Sequence, residues 1–331
     1  MSTPGAKASG EDDLIARYFR PLATDPGAFG LIDDAALLKQ SGDDLVVTTD
    51  AIVEGVHFLP DDPPDTIARK ALRVNLSDLA AKGATPAGFV LTLALRQASD
   101  QWLAPFARAL GEDAAAFGCP VLGGDTVSTP GPLMVSITAF GRVPPSTIVR
   151  RDGAKVGDRI AVTGTIGDAS LGLRVLRHQI AGEGLDASAR NFLIQRYRVP
   201  QPRNALALAI REHANAAMDV SDGLAGDLAK LCAASRVSAA IEMAAVPLSA
   251  PARALFAKGS ADIEGAVSGG DDYEVLCAIP ENRWESFVVA AGKAGVQISS
   301  IGKVVAGGIA PQFLDAAGKL VTLKRLSYSH F

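Results

Sequence analysis

Strand-like and helix-like stretches alternate along this chain, and the alternation restarts after the turn Val143-Pro144-Pro145. That pattern restricts the fold to the α/β or α+β class, because each helix must bury its apolar stripe on a sheet. In the first half, Leu45-Val46-Val47 reads as a buried strand ending in Thr48-Thr49-Asp50. The spacing then predicts a helix over 64–82, with Asp65 in its first turn and Gly83 just past its end. A strand over 89–95, an Ala-rich helix over 102–117, a short strand over 120–122 and a strand over 133–140 follow. In the second half the predicted strands are 159–162, 216–220, 273–279 and 296–304, and the predicted helices are 169–179, 205–213, 224–234 and 284–294. Strand order is not readable from this pattern.

The chain has 331 residues, so two domains are expected, 1–148 and 149–331. Its net charge of −4 argues against a nucleic-acid or anionic-membrane surface. The longest strongly apolar run, near Phe89 to Leu95, is far short of the ~20 residues that span a bilayer. The three cysteines, Cys119, Cys232 and Cys277, are odd in number and lie in apolar runs. They read as reduced core residues, which with the polar N-terminus places the chain in the cytoplasm.

Chemistry is signalled by aspartates beside glycines at the ends of apolar runs: Asp33, Asp34, Asp50, Asp78, Asp125, Asp219, Asp222, Asp271 and Asp272. Singly, each is a turn signal. If several converge, their repulsion calls for a cation. All-oxygen ligands then favour Mg²⁺, which tends to bring a phosphate substrate. Asn75 and Asp78 share a face of their predicted helix. His57 is the one histidine beside a candidate site. The chain contains no GxxxxGK[ST], no kinase HRD and DFG set, no GxGxxG in Rossmann context and no GxSxG. Phosphate-binding loop NTPases, protein kinases, dinucleotide enzymes and serine hydrolases are thereby set aside.

Taken together, Asp33-Asp34-Ala35-Ala36, Thr48-Thr49-Asp50, Gly55-Val56-His57-Phe58, Asn75-Leu76-Ser77-Asp78, Gly123-Gly124-Asp125-Thr126, Asp219-Val220-Ser221-Asp222-Gly223 and Ser268-Gly269-Gly270 with Asp272-Tyr273-Glu274 resemble the thiamine-monophosphate kinase family. That family lies within the aminoimidazole-ribotide synthetase-like superfamily, and the resemblance runs from about Leu14 to Phe331. It implies a two-domain α/β fold, a homodimer joined through the N-terminal domains, several Mg²⁺ ions, and phosphoryl transfer from ATP to thiamine monophosphate. By matching positions it implies that Asp34, Thr48, Thr49, Asp50, Asp78, Asp125, Asp219 and Asp222 bind metal. Gly124, Asp125, Arg151 and Ser221 would contact ATP, and His57, Asp271 and Tyr328 the acceptor. The chain departs from the family pattern at Ile32, where Gly is usual, and at Asp271, where Glu is usual. The alternatives are another ATP-using synthetase of the superfamily, a metal-dependent phosphohydrolase, and a nucleotide-binding regulator without turnover.

Overall fold

The computed structural model describes residues 14–31, 38, 42–180, 185–307 and 310–327. Ile32, Asp33, Asp34 and Tyr328 lie outside the described residues. The chain forms two compact units: one comprises Met1–Asn75 and Pro86–Arg142, the other Leu76–Thr85 and Val143–Phe331.

The first unit is built on strands β1 (Asp44–Val53), β2 (Thr85–Leu95), β3 (Val121–Ser128) and β4 (Met134–Val143), with helix α2 (Asp100–Ala116) and the first part of helix α1 (Pro64–Ala81), whose residues from Leu76 onward belong to the second unit. Its sheet order is β1-β4-β2-β3, so β1 and β3 are the two edges. β2 and β3 run parallel, joined through α2. The apolar run at 45–47 is not a buried strand: Val46 is buried, but Leu45 and Val47 are about half exposed. Alternation of side chains across an edge strand gives this pattern. β1 also continues to Val53, so Thr48-Thr49-Asp50 sits within the strand rather than at its end. The strand persists because it pairs with β4, and Thr49 adds a hydrogen bond from Oγ1 to the Ile137 carbonyl at 3.2 Å. Likewise Gly123-Gly124-Asp125-Thr126 lies inside β3, with Gly124 opposite Leu91 and Asp125 opposite Thr92.

α1 ends where Gly83 takes a φ of +68°, and the Ala84 N–H reaches back to the Leu79 carbonyl. This is the left-handed stop expected from the sequence.

The second unit holds a seven-stranded sheet of order β11-β10-β7-β9-β5-β8-β6. The strands are β5 (Arg159–Thr163), β6 (Ala216–Asp219), β7 (Ser238–Glu242), β8 (Val275–Ile279), β9 (Ile298–Val305), β10 (Gln312–Leu314) and β11 (Leu320–Val321). All neighbours are antiparallel except β10 on β7. The helices are α3 (Asp168–Leu176), α4 (Ala187–Arg198), α5 (Ala207–His213), α6 (Leu224–Ser235), α7 (Ala250–Ala257), α8 (Ile263–Ser268) and α9 (Trp284–Lys293).

Successive residues of the central strands feed opposite faces. Ile160, Val162, Met218 and Leu276 pack with Leu224, Leu228 and Leu231 of α6. Ala161, Ala217, Val275 and Cys277 pack with Ile210 of α5 and Phe287 of α9. Because helices cover both faces, every residue of β8 is buried, and the strand reads as a continuous apolar run. Cys119, Cys232 and Cys277 are unpaired and buried. Burial pushes their thiols up to about 12, 11 and 12 respectively.

Candidate active site

In the second unit, two distant motifs are stitched together by backbone. The Asp271 N–H donates to the Ser221 carbonyl, the Tyr273 N–H to Val220, and the Val220 N–H to Glu274, each at 2.8 Å. Ser221 and Asp222 therefore stand beside Asp271 at the end of β6, where Asp219 is its last residue. Ser77 of α1 closes on the same loop, its Oγ 3.5 Å from the Tyr273 carbonyl.

Lys82 gathers the neighbouring charges. Its half-buried ammonium donates to the Ala217 carbonyl at 2.8 Å. Burial lowers its pKa, and the Arg151 guanidinium adds to this; the carboxylates of Asp219 and Asp78 oppose it. Asp78, Arg151 and Asp219 thus share one electrostatic neighbourhood. Asp222 is engaged by Lys230 at 2.5 Å, and the same ammonium holds the buried Asp227 at 2.8 Å.

The loop carrying Asp271 has an unusual backbone. Asp271 has a φ of +72° and Tyr273 a φ of +50°, left-handed values that side chains disfavour. They alternate with two carboxyl groups that are wholly buried, Asp272 and Glu274. Asp272 is not a candidate metal ligand: it accepts the N–H groups of Gly167 at 2.6 Å and Ala169 at 3.2 Å. Burial pushes its carboxyl up to about 8, against the pull of those bonds and of Arg196. Glu274 accepts from Arg196 Nη2 at 2.8 Å, from Arg203 Nη2 at 2.5 Å and Nε at 2.6 Å, and from Thr163 Oγ1 at 2.6 Å. Arg196 also donates to the Asp272 carbonyl oxygen at 3.1 Å. Sequence reasoning assigned no role to Lys82, Arg196, Arg203 or Glu274. The last lay in a quoted motif, but the arginines are more than 70 residues from it and carry no local signal.

In the first unit, Thr48, Thr49 and Asp50 occupy β1 and Asp125 occupies β3, the opposite edge. Three interstrand steps separate these edges, roughly 14 Å at ordinary strand spacing. Asp50 and Asp125 are exposed. Gly124 has a packing reason of its own: a Cβ there would lie 2.0 Å from the Leu91 carbonyl oxygen. His57 follows β1 in a tight turn, its Nδ1 3.1 Å from the Val53 nitrogen. Asn75, expected to share a face with Asp78, is fully buried. Its amide donates to the Ala71 carbonyl at 3.0 Å, and its Oδ1 has no partner among the described residues.

Hydroxyls and carboxylates are hard donors, a set whose chemistry suits Mg²⁺. Among the described residues, no three His, Cys, Asp or Glu side chains gather closely enough to hold an ion by themselves.

The two units correspond to two family models. AIR synthase related protein, N-terminal domain, matches residues 32–143, and the corresponding C-terminal domain matches residues 155–311. The chain is an AIR synthase related protein. A thiamine-monophosphate kinase of Caulobacter vibrioides is 46% identical over 99% of this chain and 93% of the relative. The crystal structure of thiamine-monophosphate kinase from Stenotrophomonas maltophilia K279a superposes with a TM-score of 0.83, at 35% identity over 96% of this chain and 98% of that one. A structure described as AaThiL complexed with AMPPCP and TMP gives 0.77 at 31% identity, over 92% and 97%. Within its class the chain belongs to the thiamine-monophosphate kinase family, which makes it a phosphotransferase.

Proposed function

We propose that the chain transfers the γ-phosphoryl group of ATP directly to the phosphate of thiamine monophosphate, giving ADP and thiamine diphosphate. The observation that carries this reading is the pairing of Val220-Ser221 with Asp271–Glu274, which draws motif residues assigned to metal, ATP and acceptor into one loop pair. Family membership supports it, as does the complex of a relative with AMPPCP and TMP.

The residues fit the reaction's needs. A phosphate monoester has a second pKa of about 6, so the acceptor oxygen is already nucleophilic near neutral pH. Neither a general base nor a covalent intermediate is required. Such transfer rests on positioning and charge neutralisation. Gly124, Asp125, Arg151 and Ser221 contact ATP, while His57, Asp271 and Tyr328 hold the acceptor. Asp34, Thr48, Thr49, Asp50, Asp78, Asp125, Asp219 and Asp222 would hold several Mg²⁺ ions. Bound Mg²⁺ supplies the positive charge that lets two polyanions approach. The protein acts in the cytoplasm as a homodimer paired through its first unit, whose edge strands expose Leu45, Val47 and Val127.

The test is ADP release with and without thiamine monophosphate, before and after EDTA. Acceptor-dependent release that EDTA abolishes and Mg²⁺ restores is expected. Equal release without acceptor would identify a phosphohydrolase, and ATP binding without release a regulator. With a chiral γ-phosphoryl group a single inversion is expected; net retention would reveal a phosphoenzyme.

A further inference from the structure

The turn after β1 closes on its own histidine. The Val53 N–H donates to His57 Nδ1 at 3.1 Å, and the His57 N–H donates back to the Val53 carbonyl at 2.9 Å. The Gly55 N–H reaches the Phe58 carbonyl at 2.8 Å, and Glu54 bridges to Phe58. Outside the turn, Glu54 is anchored through its N–H to Leu133 and through its carboxylate to Arg96 at 2.7 and 3.0 Å. From beneath, Lys70 of α1 donates its ammonium to the His57 carbonyl at 2.8 Å. Lys70 is 1% exposed, a burial that lysine rarely accepts.

A ring nitrogen that accepts a hydrogen bond carries no proton, so the proton of the neutral imidazole lies on Nε2. We propose that Lys70 is a positioning residue which, with the Val53 N–H, fixes His57 as the Nε2–H tautomer, so that His57 meets the acceptor's phosphate oxygen as a neutral one-proton donor and not as a base. This rests on the reading above that His57 contacts the acceptor. The tautomer follows from the turn itself. A donor suits a phosphate monoester oxygen, which only accepts when ionised. It also accords with a transfer that needs no base. Without Lys70 the His57 carbonyl loses its buried partner, the turn can relax, and the Val53–His57 bond no longer selects one nitrogen.

The experiment uses the full chain labelled with ¹⁵N-histidine and long-range imidazole correlation spectra at about pH 8, above the ordinary histidine pKa of about 6.5. His57→Gln assigns its signal pair among the four histidines. In the wild type we expect one tautomer at His57, with Nδ1 unprotonated and Nε2 protonated. In Lys70→Met we expect a tautomer mixture. Its KM for thiamine monophosphate should rise about tenfold, with kcat and the KM for ATP within about twofold, as for lost ground-state positioning. Lys70→Arg, which keeps a cationic donor, should restore the single tautomer. It also serves if the Met variant does not fold. A proton on Nδ1 in the wild type would overturn the proposal, as would unchanged signals and KM in Lys70→Met. The spectra are recorded without substrate, so they decide the tautomer even if the acceptor is another phosphate ester.

Discussion

Replacing Glu274 by Gln should unsettle the second unit through one functional group. The carboxylate is wholly buried and accepts four hydrogen bonds, two of them from Arg203 and one from Arg196. Gln removes the charge and turns an N–H₂ group toward donors, so Arg196, 8% exposed, and Arg203, 22% exposed, lose the carboxylate they share. Breaking one side of a buried ion pair costs about 3–5 kcal/mol. For a unit of this size 1 kcal/mol lowers Tm by about 2–4 °C, so the variant should melt about 6–20 °C lower. The left-handed Asp271 and Tyr273 each store about 1–3 kcal/mol. The lost anchor is thus comparable to what holds the loop, and the KM for thiamine monophosphate should rise together with the fall in Tm. Calorimetry at neutral pH, paired with acceptor saturation curves, measures both. A Tm within about 2 °C of wild type would refute the reasoning.

Asp272 gives a pH signature of definite sign. Its folded carboxyl is raised from 3.8 to about 8 by burial, so the folded state keeps a proton that the unfolded chain loses. Its contribution is present below about pH 4 and is lost as pH rises toward 8. Asp272→Asn should show a shallower fall of Tm across that window; an unchanged slope would count against the assignment. Gly124→Ala puts a Cβ 2.0 Å from the Leu91 carbonyl and should destabilise the first unit by about 1–3 kcal/mol. Were Gly124 present only for phosphate approach, the KM for ATP would rise at constant Tm. Asp125→Asn, at an exposed position, should leave Tm intact while kcat falls more than about a hundredfold, the loss of about 3 kcal/mol of transition-state stabilisation. Near-wild-type turnover would remove Asp125 from the site.

The class of fold is legible because apolar runs alternate with helical periodicity, and most helices of both units stand within a few residues of where that periodicity puts them. β1 and β3 show where the reading stops. Thr48-Thr49-Asp50 and Gly123-Gly124-Asp125 look like strand ends because their apolar runs cease there. An edge strand continues with an exposed face, which composition does not distinguish from a loop. α4 has few apolar residues and went unpredicted, although it delivers Arg196 to Glu274. β10 joins β7 in parallel from more than 60 residues away. Such pairings are decided by packing across the sheet, for which a single sequence carries no mark.

The three buried thiols make this chain a quiet background for labelling. A maleimide reacts with thiolate, and groups pushed up to about 11 or 12 hold almost none near neutral pH, besides being shielded from the reagent. Native protein should take up almost no dye, whereas denatured protein should take up three equivalents. A single cysteine placed at an exposed site such as Val156 would then report by itself, with every native sulfur left where the core uses it.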